Sequence, residues 1–117
     1  MAKNPLGRSF LFAFRGLALA GGERNFRLHL VSASVVVFLG FYAGVSRSEW
    51  IWLLLCTGGV ISLELVNTAL EKLTDLASPG LHPLAGAAKD LAAAAVLVFS
   101  IASAIIGALI FIPYFFN

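Results

Sequence analysis

The segment Glu64-Leu-Val-Asn67-Thr68-Ala-Leu-Glu71-Lys72-Leu-Thr-Asp75 carries carboxylates and an amide at helical spacing. Written as one helix, positions 64, 67, 68, 71 and 75 form a single polar stripe. At a rise of about 1.5 Å per residue, Glu64 lies roughly 10 Å from Glu71 along the axis. Glu71 and Asp75, with Asn67 nearby, are hard oxygen donors of the kind Mg²⁺ takes alongside phosphate oxygens. Glu23 supplies a further carboxylate, and Lys89-Asp90 adds a cation suited to phosphate together with another acid. Glu64 sits inside an apolar run, where a carboxylate is costly and therefore a candidate for function. At the edge of a membrane it suits a general base acting on a hydroxyl that a lipid presents. The set contains the parts of phosphoryl transfer: a metal holder, a cation for phosphate and a base for the acceptor. No Walker-type glycine loop accompanies it. Plainer roles compete at several positions. Asp75 reads equally as a solvated helix-end acid, Lys89-Asp90 as a membrane boundary with an acid near a helix N-terminus. Arg24 and Arg27 read as anchors, and His29 and His82, which lack metal-ligand spacing, as structural residues.

The elements that must position these groups are apolar. Of 117 residues, 60% are hydrophobic and 12% charged, against about 25% charged in a soluble domain. That balance excludes a soluble globular or a disordered chain, and the chain is expected to be an all-α membrane protein. Three apolar stretches, 28–45, 50–70 and 91–112, are expected to span the bilayer, each close to the roughly 20 residues a crossing needs. Residues 5–22 are apolar but carry Arg8 and Arg15, and are expected to lie on the membrane as an amphipathic surface helix. The start does not read as a signal peptide, because the two arginines interrupt it. The polar stretch 71–90 is expected to link the last two spans, and residues 1–117 to form one domain. Gly58-Gly59, in mid-span, suggests close helix contact, and Cys56, the single cysteine, reads as a small buried hydrophobe.

Charge gives the orientation. Lys3, Arg8, Arg15, Arg24, Arg27, Lys72 and Lys89 fall on one side and Arg47 alone on the other, which places the N-terminus and the 71–90 segment in the cytoplasm. Glu23, Glu71, Asp75 and Asp90 share that side, with Glu64 near it inside the span; Glu49 lies opposite. A net charge of +2 gives no reason to expect nucleic acid as a partner.

The stripe from Glu64 to Asp75, followed by His82-Pro83-Leu-Ala and by Ala88-Lys89-Asp90-Leu-Ala-Ala-Ala-Ala-Val96-Leu97, resembles the prokaryotic diacylglycerol kinase and undecaprenol kinase family. Glu23-Arg24-Asn25-Phe26-Arg27-Leu-His29 fits as well, so the likeness runs from about Phe10 to Pro113. It implies a small homotrimeric lipid kinase in the bacterial inner (cytoplasmic) membrane, each subunit having a surface helix and three transmembrane helices. ATP with Mg²⁺ as cofactor would donate its γ-phosphate to a lipid alcohol at the cytoplasmic face. Glu64 would be the catalytic base with Asn67 in support, and Glu23 and Glu71 would bind the metal and with it the ATP phosphates. Lys89 and Asp90 would contact the nucleotide, as would His82 in the loop with Gly80 and Leu81. Ala92 and Ala93 stand where the diacylglycerol kinases of proteobacteria have Gly-Ser. Glu23-Arg-Asn, Ser46-Arg-Ser-Glu49-Trp50 and His82-Pro-Leu-Ala resemble the branch that phosphorylates undecaprenol, which makes that alcohol the first choice and diacylglycerol the second. Small residues at Gly58, Gly59, Ser62, Ala92 to Ala95, Ser100, Ala102 to Ala104 and Gly107 would allow the close packing of a trimer. The alternatives are a small proton-coupled multidrug exporter using a membrane-embedded glutamate, and an accessory subunit that only packs against partner helices. The crowding of acids at one end argues against the first, and the stripe is unexplained by the second.

Overall fold

The computed structural model describes residues 4–116 as four helices. Lys3, counted above among the basic residues, lies outside the described residues. Helix α1 spans Pro5–Ala20. Asn4 caps it, its side chain accepting a hydrogen bond from the Gly7 N–H at 2.9 Å, and Pro5 opens the first turn where its missing N–H costs nothing. Gly21 and Gly22 end it. Helix α2, Arg24–Ala43, follows with Glu23 at its N-cap and closes on Gly44, whose φ of 67° is a left-handed conformation that glycine adopts without strain.

Helix α3 spans Arg47–Ala77. Its start is a capping box: the Glu49 N–H donates to Ser46 Oγ, and Glu49 Oε1 accepts from the Ser46 N–H at 2.8 Å. Helix α4, Pro83–Phe115, begins behind His82 with Pro83 in its first turn. The polar stretch 71–90 is therefore mostly helix, and only residues 78–82 connect α3 to α4. Leaving the apolar window did not end either helix, because Glu, Lys, Leu and Ala favour helix in water as well; the chain breaks only at Ser78-Pro79-Gly80. With 31 and 33 residues, α3 and α4 are about 46 and 50 Å long. Both exceed a hydrocarbon core of about 30 Å.

Three helices, α2, α3 and α4, are long and apolar enough to cross a membrane. Their outward surfaces carry leucine, isoleucine, valine and phenylalanine, while the buried set is small and includes three polar residues, Glu64, Asn67 and Thr68. Helices α3 and α4 form the main antiparallel contact, α2 packs on α3 with little contact to α4, and α1 packs on α3. Alternation of direction puts Glu23, the end of α3 and the start of α4 at one end of the bundle. The other end holds Ser46, Glu49 and Tyr114. There the Tyr114 hydroxyl donates to Glu49 Oε1 at 2.5 Å, Phe41 lies against Trp50 with ring centroids 4.8 Å apart, and Tyr42 stacks on Phe115.

Two glycines set how closely the helices approach. A Cβ at Gly59 would collide with the Phe99 ring, and one at Gly40 would stand 2.5 Å from the Trp50 indole. Gly58 faces open space, so of the two mid-span glycines only Gly59 serves the α3–α4 contact. Cys56 is buried, as expected of a small hydrophobe. Replacing Gly59 by alanine is expected to destabilise the protein by about 1–3 kcal/mol through overpacking. Thermal unfolding in detergent should show the loss, and the double variant Gly59→Ala/Phe99→Leu should recover most of it. A Gly59→Ala melting temperature equal to that of the parent would contradict the contact.

Candidate active site

The polar stripe of α3 is buried at its membrane end and opens progressively toward the bundle's charged end. Glu64 and Asn67 are only 4% and 5% exposed, Glu71 is half-buried and Asp75 is exposed. The continuous helix sets this gradient: one face keeps turning inward while the bundle thins around it. Four pairings follow the gradient in order of depth. Deepest, His29 Nε2 of α2 stands 3.6 Å from Glu64 Oε2, too far for a good hydrogen bond and within ion-pair range. One turn up, Asn67 Nδ2 donates to Glu71 Oε1 at 3.2 Å. Next, Lys72 Nζ lies 3.5 Å from Glu23 Oε1 at the N-cap of α2. Outermost, Lys89 of α4 is ion-paired with Asp75.

These pairs tie three helices together. Glu23 makes no side-chain cap to its own helix and turns to Lys72 instead. Asp75, which the sequence left open as a solvated acid, is the partner of Lys89. That carboxylate raises the Lys89 amine above its ordinary 10.5, with smaller help from the Glu71 charge. Lys89 and Asp75 lie beyond the apolar stretches, where water screens their attraction. Asp90 is exposed. His82 acts locally, where its Nδ1 accepts the Leu84 N–H at 3.1 Å and caps α4.

Asn67 Oδ1 is buried and, among the described residues, has no hydrogen-bond partner. A buried amide oxygen without a partner costs free energy, so this atom is arranged for a donor or a cation. With Glu71 on the same face, it offers the hard oxygens that Mg²⁺ takes when phosphates and water complete its shell. Among the described residues, no three His, Cys, Asp or Glu side chains are gathered as a ready-made metal cluster. An ion held by one or two carboxylates and by phosphate oxygens does not require one, and Glu71 with Asn67 fits that description. His29 is the residue that reading along the chain missed. Its partner is on another helix, and no spacing within α2 signals it.

The model of the family described as prokaryotic diacylglycerol kinase matches residues 11–111. The undecaprenol kinase of Bacillus subtilis is 49% identical over 111 residues, covering 94% of this chain and 90% of that protein. A diacylglycerol kinase of Synechocystis is 37% identical over 107 residues, with 90% of this chain and 61% of the longer relative covered. A diacylglycerol kinase of Helicobacter pylori strain J99 is 31% identical over 113 residues, covering 96% and 88%. All three are kinases by name, and the exporter alternative finds no support among them.

Asp75 is the main cause of the high Lys89 pKa, so Asp75→Asn should lower it. At a fixed alkaline pH more of the amine is then neutral and nucleophilic. Acylation of Lys89 by an amine-reactive reagent, read by mass spectrometry, should rise severalfold relative to Lys72 in the same protein. Equal labelling in both proteins would show that Asp75 does not hold Lys89.

Proposed function

The chain belongs to the prokaryotic diacylglycerol kinase family, and from that membership we propose that it transfers the γ-phosphate of ATP to the hydroxyl of a membrane lipid alcohol, undecaprenol in preference to diacylglycerol. The observation that carries the chemistry is Glu64, a carboxylate 4% exposed on a helix apolar enough to cross a membrane. A group that costly to bury is a candidate for chemistry, and its place at the buried end of the stripe suits a lipid hydroxyl that approaches from the hydrocarbon side.

In this reading Glu64 accepts the hydroxyl proton as the acceptor oxygen attacks phosphorus. Asn67 holds Glu71 through its amide N–H and keeps Oδ1 directed to the site. Glu23 and Glu71 are the residues that would hold Mg²⁺, which when bound screens the charge of the phosphates. Lys89 and Asp90 serve the nucleotide, and His82 lies beside it at the start of α4. Lys89 is charged at neutral pH, as a phosphate contact needs, and its ion pair with Asp75 holds the amine at the charged end.

The preference for undecaprenol is supported by 49% identity to an undecaprenol kinase, against 37% and 31% to two diacylglycerol kinases. Ala92 and Ala93 point the same way. The protein is read as a homotrimer in the bacterial inner membrane, with the N-terminus and the site at the cytoplasmic face. Support for the assembly comes from open space at Gly58 and Gly107, where another helix can approach closely. Support for the orientation comes from the basic residues near the charged end. Helix α1 is read as lying along the membrane surface. Its Arg8 and Arg15 guanidiniums both sit over the Phe12 ring, which lets them reach headgroups while the ring stays apolar.

The test is phosphate transfer from labelled ATP by the purified protein, with undecaprenol and diacylglycerol offered separately. We expect Mg²⁺-dependent product with both and a higher kcat/KM for undecaprenol. Glu64→Gln should fold and insert normally yet lose about 10²–10⁴-fold in rate. Absence of product with either lipid would overturn the kinase reading, and normal turnover by Glu64→Gln would remove Glu64 as the base.

A further inference from the structure

If Glu64 takes a proton in every turnover, that proton must also leave. The carboxyl is closed off: its side chain is 5% exposed, and its helix neighbours include Leu65, Val60 and Asn67. A buried carboxylic acid with no exit remains protonated and cannot act again. The group placed to relieve it is His29, whose Nε2 is 3.6 Å from Glu64 Oε2 and whose side chain is 24% exposed. The imidazole is thus more open than the enclosed carboxyl, and it lies at the first residues of the 28–45 apolar stretch, the end nearest water. It stands near the start of α2, close to the charged end of the bundle.

We propose that His29 receives the proton from Glu64 after each transfer and passes it to water, so that it resets the base. The inference rests on the reading of Glu64 as base. The alcohol O–H bond breaks and its proton goes to Glu64 Oε2, while the alcohol oxygen bonds to phosphorus and ADP leaves. Once the side chains close their 3.6 Å gap to hydrogen-bond distance, the proton passes from Oε2 to His29 Nε2, restoring the carboxylate. The imidazolium releases its Nδ1 proton to water, and exchange with water moves the remaining proton from Nε2 back to Nδ1, so that Nε2 is again free to accept. A histidine fits because one imidazole nitrogen can accept a proton while the other gives one up.

The surroundings leave this pair without competitors. His29 lines a cavity of about 430 Å³ between α2, α3 and α4. Apart from His29, its only titratable lining residue among the described residues is Cys56 on α3; α2 contributes Ser32 and α4 contributes Ser100 and Ser103, which do not titrate. Helix α1 meets α3 around Thr68 and Lys72, on another part of that helix. The charged partner facing the imidazole is therefore Glu64. His29 acts through Glu64 and is in that sense a positioning residue.

Two variants separate proton handling from packing. Gln in place of His29 can still reach Glu64 with an amide but cannot accept a proton, and Ala leaves room for a small base. For His29→Gln we expect kcat with saturating ATP and undecaprenol to fall by about tenfold or more, with KM for ATP changed by less than about twofold. Added imidazole should restore turnover to His29→Ala and not to His29→Gln. In a Glu64→Gln background, His29→Gln should cause no further loss. A His29→Gln protein with parental kcat would overturn the proposal. So would a loss confined to KM, or one that imidazole does not relieve in His29→Ala. Normal turnover by Glu64→Gln alone would instead sink the reading of Glu64 as base, so the two failures are distinguishable.

Discussion

The structure is organised around one expensive fact: a carboxylate held inside a helix surrounded by hydrocarbon. Removing such a charge from water costs several kcal/mol in practice, and here the fold offsets part of that cost locally. Helix α3 is unbroken through Glu64, so no backbone group is exposed to lipid there. Asn67 and Thr68, buried on the same face, make a polar seam that the apolar faces of α1 and α4 flank. The His29 imidazole faces the carboxylate from α2.

Holding that seam in place requires α3 to be fixed in rotation, because a small turn of the helix would point Glu64 at lipid. The glycines supply the lock. Phe99 sits on the bare backbone of Gly59, and the Trp50 indole sits on that of Gly40, so α3 is gripped from α4 near its middle and from α2 near its start. At the far end the Ser46–Glu49 box and the Tyr114 hydroxyl fix the entry of α3. The carboxyl of Glu49 lies below its ordinary range chiefly because Tyr114, and after it the Ser46 N–H, donate to it. At the near end, Glu23–Lys72 and Asp75–Lys89 link α3 to the starts of α2 and α4. Exposed pairs of this kind contribute little stability in water, and their effect here is registration.

The stripe was legible in sequence because helical periodicity is a local property: residues three, four, seven and eleven apart share a face whatever surrounds them. The three apolar stretches were legible for the same reason. The lengths of the helices were not, because hydropathy reports where lipid ends and says nothing about where hydrogen bonding ends. The polar residues from Glu71 to Ala77 and from Pro83 to Asp90 thus read as a link although they are helical. Pairings across helices were hidden as well. Nothing within α2 distinguishes His29 from a structural histidine, and Asp75 becomes the partner of Lys89 only once the short turn 78–82 folds α4 back. Charge counts carried the sidedness, since so few charges leave little ambiguity about where they gather.

The long helix ends also bear on how such a small chain can serve two solvents. On the proposed reading, the acceptor hydroxyl arrives from hydrocarbon while the phosphates arrive from water, and the reacting atoms must meet within a few ångströms. A loop at the boundary would be mobile and would expose unpaired backbone groups to the interface. A helix that crosses the boundary without interruption places a base on one side and metal-binding oxygens on the other at fixed separation. Glu64 and Glu71 are two turns apart on one rigid rod, roughly 10 Å along its axis, with Asn67 between them. That distance is too long for both carboxylates to touch the same reacting oxygen. It suits a division of labour in which the deeper group handles the proton of the alcohol and the shallower one, with its ion, handles the phosphates. On that reading, the extension of α3 beyond the membrane is what would let one helix carry both halves of the chemistry.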